Sequence, residues 1–563
     1  MRRKNTGSDI MSERILTSVR KSYIHILICT NKLSKKEAKP FVREVTGLTK
    51  PFSSLDLLTY SLAWSIGSGI LLFTVGIVNS YPGSNPFIAL LIDAVMLFPA
   101  ATVLYLLGIT LPRVGGQYVW VSRLLNPGIG YFLTLIVWMG YSLIMGVVAS
   151  VGASFLAQAF TITGYVTHSS ALSSVGAVFT KALTRIVLAS AMVLLFTLLN
   201  ALGYKVSKAS IYVAWYIPLI VLLVSTVGMI ALPSTSAPTL WDKVFGAGSY
   251  QNVLTLSATK GWKPSLLTPS VSATLLASIP LLSAWSGWSH IGGWMAGEVK
   301  LPKRTMFFGT IFAGFFAMIL MSLVIYSYQH LFGLEFVSRL GFVASSMHIT
   351  PSIPLFAAVA FSSVPVLPIL ISFTIFILPV KDVLPSIVVQ SRQLFAMAFD
   401  RLLPESLTKV SQSTNQPILS YVITAIAIIV SIIVTSPLLP LGYYVGADLY
   451  VLSVALLQVF TAITAILLPI SNPELYKNAP KPANLEFGKI PLISIVGSIS
   501  LAAWLFLLGD DFYGIFTSSV GYIVMLIISV ILAIVFVMYV YFVKRLETQG
   551  IDIRLVGKEI PPE

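Results

Sequence analysis

Apolar residues fall along this chain in runs of about 20 or more, each closed by Gly, Pro, Asn or charged positions. This punctuation predicts about twelve membrane spans. Five lie at roughly 54–79, 86–111, 128–160, 182–203 and 209–232, and two more at roughly 273–298 and 304–331. The eighth ends near 398 with an undefined start, and four follow at roughly 417–435, 443–470, 490–508 and 513–543. The runs are continuous rather than alternating, which excludes a membrane β-barrel. The expected fold class is an all-α polytopic membrane protein.

Two spans carry an internal interruption. The first reads Ile66-Gly67-Ser68-Gly69-Ile70 at its middle. Two glycines around a serine weaken a helix where hydrocarbon offers its backbone no other partner. Either the freed amides and carbonyls face a ligand, water or protein, or the small residues serve close helix packing. The sixth span repeats the pattern with Ser283-Ala284-Trp285-Ser286-Gly287-Trp288-Ser289-His290-Ile291-Gly292-Gly293. Paired interruptions in corresponding positions point to a binding site built at the midplane of a transporter.

Composition narrows the class. The chain is 56% hydrophobic and 10% charged, with mean hydropathy +0.88, too little charge to cover a soluble surface. One cysteine, Cys29, excludes an intramolecular disulfide. The net charge is +15, and residues 1–50 hold twelve Lys/Arg against four acids. A basic tail before the first span implies a cytoplasmic N-terminus and an anionic lipid surface rather than nucleic acid. Predicted inner connections carry Arg113 and Arg123, Lys205 and Lys208, Lys300, Lys303 and Arg304, Arg392, Arg401 and Lys409, then Lys477, Lys481 and Lys489. The outer connections near 80–86 and 434–442 have no Lys or Arg. Residues 233–272 and 332–365 stand out as long outer segments, a partly ordered lid and a hairpin or short helix respectively.

At this point the chain resembles the amino acid–polyamine–organocation (APC) superfamily. Gly67-Ser68-Gly69 matches its signature in the first span. Pro112-Arg113-Val114-Gly115-Gly116-Gln117-Tyr118 with Ser122-Arg123, Gly297-Glu298-Val299-Lys300, and Ser391-Arg392-Gln393-Leu394-Phe395-Ala396 with Asp400-Arg401-Leu402-Leu403-Pro404 match its later motifs in order. The resemblance implies a five-plus-five inverted repeat of the LeuT type, with the first and sixth helices discontinuous, plus two C-terminal helices. Repeat one is then about 54–232, repeat two about 273–470, and the extra helices about 490–543. They lie inside a transporter domain at 51–545, between cytoplasmic tails 1–50 and 546–563.

The resemblance also implies alternating access for amino acids or related amines. Substrate would meet Ser65, Ile66, Gly67, Ser68 and Gly69 on one side. Ser283, Ala284, Trp285, Ser286 and Gly287 would face it on the other, with Trp285 as a gate. The chain departs from the family's pattern in places. Ser289 and His290 stand where many members have an acid, and Pro218 stands where some carry a lysine in place of sodium. Lys381 and Asp382 fall where polar residues line the coupling-ion site. The alternative is a snorkelling pair at the interface, since 354–380 is apolar enough to span. Asp93 reads as a helix-end charge reaching water.

The expected function is a permease of the cytoplasmic membrane, coupled to protons. The alternative is a sodium-coupled or uncoupled exchanger of another organic cation or amine. A membrane enzyme is disfavoured because the five histidines show no metal-ligand spacing and no nucleophile motif occurs. No cofactor or metal is implied.

Overall fold

The computed structural model describes residues 47–285, 290–436 and 438–552. The basic tail up to residue 46, Ser286 to Ser289 and the C-terminal residues from 553 lie outside the described residues. Among those described, nine helices are long and apolar enough to cross a membrane. Three further predicted spans are shorter or interrupted. The first is split into α1 (Ser54–Ser65) and α2 (Ser68–Ser80), the sixth is represented by α7 and α8 below, and the ninth has 17 residues.

The remaining large helices are α3 (Pro86–Thr110), α4 (Pro127–Thr167), α5 (Ala182–Ala201), α6 (Tyr204–Ala231), α7 (Val271–Trp285) and α8 (His290–Met295). Beyond them come α9 (Pro302–Phe332), α10 (Leu367–Val380), α11 (Val383–Phe399), α12 (Ile418–Val434), α13 (Pro440–Ser471), α14 (Leu492–Thr517) and α15 (Gly521–Thr548).

Helix starts follow local chemistry. Asn85 and Asn126 each accept two amide hydrogens from the first turn that follows, and Pro86 and Pro127 occupy the first helical position, where a missing N–H costs nothing. Ser53 and Asp56 close a capping box on α1. The interior is one large apolar cluster into which α1, α4 and α11 all contribute. Helix α4 packs on α10 and α13, α7 packs on α2 and α3, and α11 and α8 both touch α1.

Two irregularities sit against α1. A π-helical turn, Phe308–Phe312, interrupts α9, and Ser61 donates to the Gly309 carbonyl at 2.7 Å. Between α10 and α11 the chain loosens at Lys381–Asp382. Pro385 has no N–H for the Lys381 carbonyl, which accepts from Leu384 N at 3.2 Å instead. This loosened turn, inside the Leu367–Phe399 span, follows the short helices Leu334–Met347 and Ile353–Ala360 that blurred the span's start in the sequence.

The segment 233–272 is largely helical rather than a bare linker, with helices at Ala237–Phe245 and Ser249–Thr259. It is docked on Leu334–Met347. Tyr250 stacks on Phe336 at 4.1 Å between ring centroids, and Arg339 lies 3.8 Å over the Trp262 ring. Its far end is pinned to the 80–86 turn, where Gly83 donates to Leu266 O and accepts from Ser270 N.

Candidate functional site

The break in the first span falls at Ile66 and Gly67. Ile66 (φ −89°, ψ 80°) leaves the helical region and Gly67 (φ −107°, ψ −166°) is extended. Neither residue needs the left-handed region, so backbone freedom does not explain the glycine. A close approach does: a Cβ at Gly67 would overlap Oδ2 of Asp382. The carbonyls released by the break are also taken by the turn between α10 and α11. Lys381 Nζ donates to Ala63 O at 2.6 Å, to Ile66 O at 2.8 Å and to Asp382 Oδ1 at 2.7 Å. All three ammonium hydrogens are thereby used, and the ring of Trp215 from α6 lies 5.3 Å away.

The side chain of Lys381 is 0% exposed and that of Asp382 11%. The pair is turned inward onto the break of the first span rather than outward as a snorkelling pair would be. Isolated ions at such burial would be costly, and their mutual contact with two carbonyl dipoles is what offsets that cost.

Of the other residues singled out in the sequence, Ser65 spends its hydroxyl on Ser61 O at 2.8 Å in its own helix. Ser68 and Gly69 open α2, so their main chain begins a helix whose Gly67 N-cap supplies no side-chain partner. Helix α7 ends at Trp285 and α8 begins at His290. Ser286 and Gly287 lie outside the described residues, as do the side chains of Ser283, Ala284 and Trp285. Asp93 is fully buried in α3, which corrects the expectation of a charge reaching water. Pro218, at the position expected to hold a lysine in some relatives, is buried within α6.

Aromatic residues that sequence reading missed frame the break. Trp64, in the last turn of α1, meets Tyr141 of α4 edge to face at 5.2 Å, and Tyr141 lies 5.8 Å from Tyr450 of α13. The Tyr141 hydroxyl is 3.2 Å from Nδ1 of His290, which is buried. His290 is thus a hydrogen-bonded histidine of α8. Nothing in the local sequence marks Tyr141 or Tyr450, because their neighbours come from distant spans.

The remaining motifs converge at one end of the bundle. Arg392 grips Glu298 with Nε–Oε1 at 2.8 Å and Nη2–Oε2 at 3.0 Å, and also donates to Tyr421 OH and Gln416 Oε1. Asp400 receives Tyr118 OH at 2.6 Å and Arg123 Nη2 at 2.7 Å. Phe52 bridges Val299, with Phe52 N donating to Glu298 O and Lys300 N to Phe52 O. Asp56 pairs with Lys208 at 2.7 Å and receives Tyr212 OH at 2.7 Å. Gly115 (φ +77°) caps the short helix Gly116–Leu124, and a Cβ at Gly116 would strike the Gly293 carbonyl of α8. The glycine pair of that motif serves a turn and a close backbone contact.

A protein-family model described as amino acid permease matches residues 52–543 of the chain. No curated protein matches it.

Proposed function

Because this chain belongs to the amino acid permease family of the APC superfamily, we propose that it is a secondary active transporter of amino acids or related amines. It works by alternating access in the cytoplasmic membrane and is coupled to protons. The observation that carries this reading is the interrupted first span. Its carbonyls at Ala63 and Ile66 turn to the Lys381 ammonium, and the first turn of α2 carries amides with no partner inside the helix and no side-chain cap, so main-chain dipoles of both signs meet at the break. Gly67, Ser68 and Gly69 then face cargo from one side. Residues 283–287 face it from the other, as the inverted-repeat arrangement of the family implies.

Coupling falls to Lys381 and Asp382. Three oxygens 2.6–2.8 Å from Nζ form a cluster that a small cation would otherwise fill, and a lysine permanently built into it leaves no vacancy for sodium. Loss of the Lys381 proton, or gain of one by Asp382, dissolves the pair and releases the two carbonyls of α1. Protonation is thereby tied to the geometry of the break.

Purified protein in liposomes, given a panel of labelled amino acids and amines, tests the reading. The expected result is saturable uptake of at least one of them, driven by a pH gradient and indifferent to sodium. Lys381→Ala is expected to abolish gradient-driven accumulation while exchange of cargo persists. Unchanged proton coupling in that variant would remove the role given to Lys381. A panel with no saturable uptake would count against the transporter itself.

A further inference from the structure

We infer that Asp382 sets cargo selectivity, admitting protonated amines and excluding molecules that bring a free carboxylate. The inference rests on the transporter reading and concerns the same break in the first span. The first turn of α2 presents amide hydrogens with no partner inside the helix, and its Gly67 N-cap contributes no side-chain acceptor. Such a terminus favours an anion. In this chain the protein itself supplies one, because Oδ2 of Asp382 lies directly against Gly67. Lys381 balances the Asp382 charge from the Oδ1 side, while Oδ2 faces the α2 turn, so a cargo carboxylate approaching that turn would find its place already taken by a carboxylate oxygen and meet a like charge at short range.

The geometry also leaves Asp382 with capacity to spare. Among the described residues the donor to its side chain is Lys381 Nζ, and that contact is to Oδ1. Lys381 has no hydrogen left for Oδ2, since the other two go to Ala63 O and Ile66 O. An ionised carboxylate accepts several hydrogen bonds, so Oδ2 stands ready for a cationic donor arriving at the break.

The surroundings favour a cation independently. Trp64, Tyr141 and Tyr450 form a continuous chain of rings beginning two residues before Ile66, and aromatic faces attract ammonium groups. The side chain of Lys381 is itself 5.3 Å from the Trp215 ring. Carboxylate and rings together suit an organic ammonium whose remainder is apolar.

The test compares amines with their parent amino acids: phenethylamine against phenylalanine, and cadaverine against lysine. Binding is read by thermal stabilisation and tryptophan fluorescence of the detergent-purified protein, and transport by competition for uptake in liposomes. The expected result is an apparent affinity at least tenfold higher for the amine in one or both pairs. In Asp382→Asn the amine loses at least tenfold and the gap to its parent closes. The doubly neutral Lys381→Met/Asp382→Asn protein leaves no unpaired buried charge and is expected to show the same loss of preference.

If the wild-type protein binds the amino acid as well as or better than the amine, the selectivity inference is overturned while the transporter reading stands. Binding and uptake of neither class would overturn both. Because the first comparison uses only the wild-type chain, misfolding of a variant cannot obscure the answer.

Discussion

At Gly67 one hydrogen atom separates a working contact from a collision. A methyl group there would overlap Oδ2 of Asp382, and overpacking of this kind costs roughly 1–3 kcal/mol. Gly67→Ala is therefore expected to insert and purify but to lose most of its cargo uptake, with a lowered melting temperature. The cause can be isolated by a double-mutant cycle. In an Asp382→Ala background the clashing atoms are gone, so the alanine at position 67 should cost little further stability. Equal destabilisation in both backgrounds would mean that Gly67 matters through its backbone, not through Asp382. The residues of this contact were visible in the sequence as a small-residue motif and as an intramembrane ionic pair. Their partnership was not, because a separation of 315 positions lies between Ile66 and Lys381 and no local pattern encodes it. For the same reason the two readings of Lys381–Asp382, on the break or at the interface, stayed open until the fold placed the ammonium on α1.

Among the elements, the break separating α1 from α2 was legible because glycine and serine lower helix stability wherever they cluster. The loosened turn between α10 and α11 was less so. Pro385 is an ordinary-looking proline until the Lys381 carbonyl is seen to need its missing N–H. The four ordered motifs were legible as strings, but their function as a latch was not. Glu298 in the turn just past α8, Arg392 in α11 and Tyr421 in α12 form one buried network. The Phe52–Val299 bridge ties the start of α1 to the chain just past α8. These contacts tie α1, α11, α12 and the chain just past α8 together at one end of the bundle, and a transporter that opens at that end is expected to part them. Glu298→Gln leaves the Arg392 guanidinium buried without its counter-charge, a change that typically costs about 3–5 kcal/mol. The expected outcome is a marked drop in melting temperature. Replacing both partners with apolar residues, Glu298→Leu/Arg392→Met, should recover much of the loss. A single variant as stable as wild type would show that the network contributes little to closure.

Across the whole molecule, charge asymmetry makes an orientation prediction that the bundle alone does not. The latch end of the chain carries Lys205, Lys208, Lys300, Lys303, Arg304 and Lys409 close in sequence to its buried pairs, and the positive-inside rule assigns that end to the cytoplasm. The docked helices of residues 233–272 belong to the opposite side. They carry exposed Lys243, Lys260 and Lys263, too few to compete with the net +8 of the first fifty residues. A membrane-impermeant amine-reactive label applied to intact cells should therefore modify Lys260 and Lys263 and spare Lys300, Lys303 and Lys409, all of which are exposed in the fold. Permeabilised cells should show both groups labelled, which controls for reactivity. The reverse pattern in intact cells would put the latch outside. The 233–272 helices would then be a cytoplasmic cover rather than an outer lid. Mass spectrometry of the labelled peptides reads Lys260, Lys263, Lys300, Lys303 and Lys409 in one experiment, so the latch and the lid are placed by a single measurement.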